Sequence, residues 1–233
     1  YLSETLDSFL AQDFTDFEII ISDNFSTDRT PEICRKYVQQ DSRIRYFRTE
    51  LFLTAPENLN RAFHLSSPTK YFMWASGNDK WDAQCLSVCI KILESDPEVV
   101  YCYTTIASID AEGKFIEFSP MKFETLNIDN SGLRLKKLIL MKHGYPHTYG
   151  IARSSAIRKT HLNLKAISSN IIFLSELSLL GKFAQAEKPL FFLRDLYAYK
   201  VSRGGDTTRR CMNIYGKYVY FPTWRAFLKH LFI

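Results

Sequence analysis

The chain has 233 residues, 46% of them hydrophobic and 15% aromatic, which excludes a disordered polypeptide and is enough for a sizeable buried core. Its formal charge of +5 permits weak attraction to phosphates or an anionic membrane face, but no run of Lys and Arg is dense enough for a nucleic-acid surface. No apolar stretch approaches the ~20 residues of a transmembrane helix.

Leu2, Leu6, Phe9 and Leu10 recur at helical spacing, so residues 2–11 open the chain as a helix. A start inside a helix leads us to expect a further strand before Tyr1. Phe17 to Asp23 follows, with three consecutive isoleucines in the manner of a strand covered on both faces. Asn24 to Asp28 is a polar turn. Thr30-Pro31-Glu32 opens a helix, with Thr30 at the N-cap and Pro31 in the first helical position. Residues 44–47 are a strand, and 57–65 a helix carrying Asn58, Asn60 and Arg61. Tyr71 to Trp74 is a short bulky strand, followed by a helix over 83–95. A β-rich run over 99–106 turns at Asp110 to Gly113 towards 115–118, which predicts a hairpin. The second half reads as a helix over 132–141, a strand over 149–152 and a helical turn over 154–160. An apolar helix over 169–180 is closed by Gly181, and strands lie over 183–186 and 190–193. After Arg194 the pattern becomes irregular and aromatic, so residues 1–195 form one domain and 196–233 an extension.

Strand and helix alternate through the first hundred residues. That pattern predicts an α/β fold with a mostly parallel central sheet and helices on both faces. It also places Asp23 and Asp79 on adjacent strand ends, where open α/β sheets bind ligands. After the strand at Tyr71, the small residues Ala75, Ser76 and Gly77 permit a tight backbone, and Asn78 and Asp79 then offer oxygen ligands suited to a hard divalent cation. As plain turn formers, Asn and Asp fit the same place.

Five cysteines, Cys34, Cys85, Cys89, Cys102 and Cys211, show no paired spacing and read as reduced thiols in a cytosolic setting. Cys85 and Cys89 lie four apart on a predicted helix and suit core packing. His143 and His147 are separated by Gly144 and Pro146, and the histidines form no ligand cluster. The clusters Arg134-Leu135-Lys136-Lys137 and Arg209-Arg210 read as solvated surface.

Three segments in this order resemble family-two glycosyltransferases of the GT-A fold. Phe17 to Asp28 is similar to their strand and acidic turn, which receives the nucleotide. Tyr71 to Trp81 resembles the strand that carries their metal-binding acidic motif. Ser169 to Phe183 resembles the helix that begins with their catalytic acid pair and ends in Gly-Lys-Phe. Asn58-x-Asn60-Arg61 and Asp96-Pro97-Glu98 to Val100 resemble further landmarks. The resemblance implies inverting transfer of a sugar from a nucleotide-diphosphate donor to an acceptor hydroxyl, on a glycan or lipid-linked acceptor in surface polysaccharide synthesis. It implies Asp23, with Asn24 and Ser26, at the nucleotide, and Asp79 with Asn78 holding Mn²⁺ or Mg²⁺ against the diphosphate. A cytoplasmic protein with peripheral contact at the inner membrane face fits this reading.

The chain departs from the family pattern in four places. The family's later His after the arginine is not found near Arg194. The first strand would lie before Tyr1, Asn78 stands where Asp is usual, and Asn170 takes the place of the base carboxylate. An amide has no useful basicity near neutral pH, and a positioned base is worth about 10²–10⁴-fold. Glu176 lies on the same helix, but six residues at about 100° each turn it to another face. These departures keep a second reading open, a non-catalytic homologue that binds a nucleotide sugar or a partner protein. A third, a nucleotidyltransferase, lacks a Gly-rich phosphate loop.

Overall fold

A computed structural model gives the fold and describes residues 1–119, 122–140, 146–166 and 169–196. In chain order the elements are α1 (Leu2–Leu10), β1 (Ile19–Asp23), α2 (Thr30–Gln40), β2 (Ile44–Arg48) and α3 (Ala55–Leu65). Next come β3 (Tyr71–Met73), β4 (Lys80–Trp81), α4 (Cys85–Ser95), β5 (Val99–Ile109), β6 (Phe115–Phe118) and α5 (Ser131–Ile139). A 3₁₀ turn at Pro146–Tyr149 leads to β7 (Ile151–Arg153), α6 (Ser154–Ile157), α7 (Ser169–Leu180) and β8 (Lys182–Arg194). The described residues fall into two compact units. One is formed by Tyr1–Asp16, Lys70–Lys159 and the stretch beginning at Leu177, the other by Phe17–Thr69 and Thr160–Glu176.

The first unit is built on a six-stranded sheet of order β3-β7-β5-β8-β4, with β6 paired to the far end of β5. β5 is its spine and is buried almost throughout, as a strand covered on both faces must be. β8 runs parallel to β5, whereas β3–β7, β5–β7, β4–β8 and β5–β6 are antiparallel. The α/β class holds, but the sheet is mixed rather than mainly parallel. The predicted hairpin over 99–118 is present. The two strands expected at 183–186 and 190–193 are one, β8, whose pairing with β5 shifts register where Thr105 meets Pro189. Proline lacks the ladder donor, and a bulge absorbs it. Gly181 joins α7 to β8 at a close approach: a Cβ there would meet Val100 Cγ1 and lie 2.7 Å from the Glu98 carbonyl oxygen.

Arg134 corrects the reading of its basic cluster as solvated surface. It is buried, 6% exposed, and donates from Nε to the Ser178 carbonyl at 2.8 Å and from Nη2 to that of Leu179 at 3.3 Å. Those carbonyls end α7, so the guanidinium caps the negative end of the helix. Cys34, Cys85, Cys89 and Cys102 are all buried free thiols, and burial pushes Cys34 up to about 11. Among the described residues no helix is long and apolar enough to cross a membrane. The aromatic extension beyond residue 196, together with Cys211 and Arg209-Arg210, lies outside the described residues.

In the second unit β1 and β2 pair in parallel, Ile19 opposite Ile44 and Asp23 opposite Arg48, joined by α2. α3 is opened by a capping box: Glu57 accepts from the Thr54 main-chain N at 2.9 Å and from its hydroxyl at 2.6 Å. Its next turn reaches back to β1. Asn58 Nδ2 donates to the Ser22 carbonyl at 2.9 Å, its Oδ1 accepts from Ser22 Oγ at 2.7 Å, and Arg61 Nη1 donates to the same Oγ at 2.7 Å. The landmark Asn58-x-Asn60-Arg61 is thus a clamp on the end of β1.

Candidate functional site

Asp23 closes β1 and is 4% exposed. Its Oδ1 accepts from the Ser26 main-chain N at 2.9 Å, its Oδ2 accepts from the Tyr46 hydroxyl at 2.6 Å, and Arg48 Nε lies 3.5 Å away. Burial alone would raise this carboxyl, but the hydrogen bonds from Ser26 and Tyr46 and the Arg48 charge outweigh it and hold it below the usual aspartate range. Asn24 is fixed by both ends of its amide, donating to the Leu53 carbonyl at 2.7 Å and accepting from the Leu53 N at 2.8 Å. The next residue, Phe25, sits at φ 60°, a left-handed conformation that costs a residue with a Cβ about 1–2 kcal/mol. The residue is 39% exposed, and its ring lies under the Arg48 guanidinium at 4.8 Å. The chain spends this strain on presenting an aromatic edge and polar main chain beyond the end of a strand.

Asp79 lies in the first unit, between β3 and β4, so the two acidic residues do not end hydrogen-bonded neighbours as expected. It is 1% exposed. Its Oδ2 accepts from Ser76 Oγ, its Oδ1 from the Arg194 main-chain N at 2.8 Å and from Asn78 Nδ2 at 3.2 Å. Burial raises its carboxyl, against the lowering effect of Ser76 and Arg194. Arg194, whose side chain is fully buried, ties this corner together. Nε donates to the Asn78 carbonyl at 2.9 Å, Nη1 to the carbonyls of Asp110 at 3.2 Å and Ala111 at 2.7 Å, and Nη2 to Glu4 at 2.8 Å. Sequence reasoning missed this residue, because its partners lie 83 to 190 positions away.

These surroundings fit a hard cation poorly. Such an ion takes about six or more oxygens, whereas both Asp79 oxygens already accept from protein donors. Among the described residues no group of three or more His, Cys, Asp or Glu could hold a metal ion.

Asn170 is the second residue of α7, inside its first turn. Glu176 is the only ionisable residue of this helix, and Ile172, Phe173, Leu174, Ser175, Leu177 and Ser178 around it are all buried. A carboxylate in such a setting needs a partner. Glu176 finds it in His161, absent from the sequence reading: Oε2 accepts from the His161 main-chain N at 2.9 Å, and Oε1 lies 2.5 Å from Nδ1. The next residue, Leu162, is at φ 58°. It is held there on both sides. Its N donates to Thr160 Oγ1 at 3.1 Å, and Asn163 is bonded to Asn60 of α3 through both its N and its carbonyl, each at 2.9 Å.

The sequence model of glycosyl transferase family 2 matches residues 1–160. An uncharacterized glycosyltransferase of Methanocaldococcus jannaschii is 26% identical over 171 residues, covering 72% of this chain and 56% of its own. An uncharacterized protein of Mycobacterium tuberculosis is 33% identical over 141 residues, covering 55% of this chain and 38% of its own. The chain therefore spans between about a third and just over half the length of these relatives. S. aureus TarS (residues 1–349) in complex with UDP-GlcNAc superposes with a TM-score of 0.63 at 17% identity, over 84% of this chain and 55% of that 1–349 chain. A mannosyltransferase of Pyrobaculum calidifontis, solved with GDP-Man and Mn²⁺, gives 0.59 at 13% identity, over 98% and 64%. At these identities the likeness shows the fold, that of GT-A glycosyltransferases.

Proposed function

This chain belongs to glycosyl transferase family 2, and from that premise we propose that it transfers a sugar from a nucleotide-diphosphate donor to an acceptor hydroxyl, with inversion at the anomeric carbon. The observation that carries the reading is that the family match takes in both acidic stretches, 17–28 and 71–82. Asp23, Asn24 and Ser26 serve the nucleoside together. Asp23 does so through the turn it holds, since its own carboxylate is enclosed. Residues 1–195 carry the transfer and 196–233 extend it. A glycan or lipid-linked acceptor in surface polysaccharide synthesis, met from the cytoplasmic side of a membrane, completes the proposal.

No step of it runs through a divalent ion. Mn²⁺ or Mg²⁺ on Asp79 and Asn78 is what the resemblance implies, and calorimetry of UDP and GDP binding decides the matter. Equal affinity in Mn²⁺ and in EDTA agrees with the enclosed Asp79 carboxylate. An affinity that rises tenfold with Mn²⁺, and loses that gain in Asp79→Ala, assigns the ion to this position.

The reading is tested by a screen for nucleotide release across UDP-, GDP- and dTDP-sugars. Release from one donor class supports it. Binding of a nucleotide sugar with no release from any class supports the second reading, a non-catalytic homologue, which the amide at Asn170 favours.

A further inference from the structure

We propose that His161, oriented by Glu176, takes the acceptor's proton in place of a carboxylate at position 170. The inference rests on the glycosyltransferase reading and names a residue that this reading lacks. Asn170 cannot accept a proton, and the two Glu176 oxygens are both committed to His161. One grips the main chain of His161 and the other its ring, so the imidazole is fixed in position and in orientation. A carboxylate at Nδ1 keeps the ring proton there, which puts the basic lone pair on Nε2, at the opposite edge. The imidazole side chain is 62% exposed, whereas that of Glu176 is 10% exposed. Buried carboxylate behind, exposed imidazole in front is the arrangement of an oriented general base.

The local backbone points the same way. Leu162 is held in a left-handed conformation directly after His161, by Thr160 on one side and Asn60 on the other. Strain that the surroundings over-determine in this way accompanies functional positions. Asn60 also sets the location: it lies on α3 between Asn58 and Arg61, the clamp on Ser22, one residue before Asp23. One helix thereby fixes both the donor-side turn and the strap that carries His161. In the step itself, Nε2 receives the proton of the acceptor O–H, and the oxygen's electron pair forms the bond to the anomeric carbon. The bond from that carbon to the diphosphate oxygen breaks, its electron pair leaves with the nucleotide diphosphate, and the imidazolium returns its proton to solvent.

Two measurements test this. Long-range ¹⁵N–¹H NMR of the intact chain at neutral pH reads the His161 tautomer. Protonated Nδ1 with unprotonated Nε2 in the wild type is expected, and the reverse tautomer overturns the proposal. Nucleotide release from UDP-GlcNAc and GDP-Man, with water as acceptor, is then compared among wild type, His161→Gly and Glu176→Gln. His161→Gly should lose ~10²–10⁴-fold, bind the nucleotide within about threefold of wild type, and regain at least about tenfold with added imidazole. Glu176→Gln, which keeps the helix packing, should lose a smaller factor that imidazole does not restore. A His161→Gly chain that binds nucleotide but is not rescued, or one as fast as wild type, overturns the proposal. A wild type that releases nucleotide from neither these donors nor the wider screen overturns the enzyme reading itself, and the proton-acceptor role falls with it.

Discussion

Asp23 and Asp79 are both buried carboxylates at turns beyond strands, yet their protons are held in opposite directions. Asp23 gathers two donors and a guanidinium at its edge, and its carboxyl is lowered. Asp79 sits deeper, and the bonds from Ser76 and Arg194 do not offset the burial, so its carboxyl is raised. The first arrangement stabilises a charge beside a strained turn. The second makes a carboxylate the inner peg of a knot whose cation, Arg194, is spent mainly on carbonyls. Two residues of one type, in like positions along the chain, thus serve presentation in one place and anchorage in the other.

The contrast breaks or sharpens most visibly at Arg194. Arg194→Ala leaves the carbonyls of Asn78, Asp110 and Ala111 unsatisfied and Glu4 without its guanidinium. Urea unfolding should show a loss of about 3–5 kcal/mol, the scale of a broken buried network; a loss below about 1 kcal/mol would remove the anchorage role. Tyr46→Phe deletes the 2.6 Å bond to Asp23 and should lose about 1–2 kcal/mol. It should also bring the Asp23 carboxyl back up, which NMR titration reads directly.

Smaller effects separate the two carboxylates by pH. Because Asp23 is lowered in the folded state, its stabilisation is full above the usual aspartate value of 3.8 and is lost as pH falls through the folded value. Asp79 is raised, so its contribution is greatest below 3.8 and declines as pH rises through the folded value. Asp23→Asn should therefore flatten the stability profile below 3.8, and Asp79→Asn should flatten it above. Matching profiles for the two variants would erase the distinction. Smallest of all, Phe25→Gly relieves the left-handed strain but gives up the contact with Arg48 and adds chain entropy. Its net change in stability should stay within about 1 kcal/mol, while nucleotide affinity falls if the ring is part of the donor surface.

The elements were legible where their signal is local. The helix over 169–180 was read to the residue, and those over 2–10 and 85–95 within two positions, because periodicity marks them. Thr30, expected at the N-cap of α2, is instead its first residue, with Arg29 at the cap and Pro31 second. The start of α3 was read two residues late, although Thr54 and Glu57 spell a capping box. What local pattern could not supply was partner choice. β7 and β8 come from the second half and insert beside β5, turning an expected parallel sheet into a mixed one. The candidate site divides in the same way. Asp23 and Asp79 stand out as acidic residues in turns, but their burial depends on Tyr46, Arg48 and Arg194. His161 stands in no motif. Only the fold brings it to Glu176, 15 positions along the chain, and no spacing rule marks that pair.

The paired amide bonds of Asn60 and Asn163 span 103 positions of sequence. On a ribosome adding about 5–20 residues per second, α3 emerges some 5–20 s before the strap it must hold. During that interval β1, α2 and β2 can close from local contacts alone, while the Asn60 amide stays bonded to water. The turn after β1 is therefore an early product of synthesis and the His161 strap a late one. A chain cut short before His161 would keep the turn's framework and lack the imidazole, so a truncated product would hold the proposed nucleotide turn without the proposed proton acceptor.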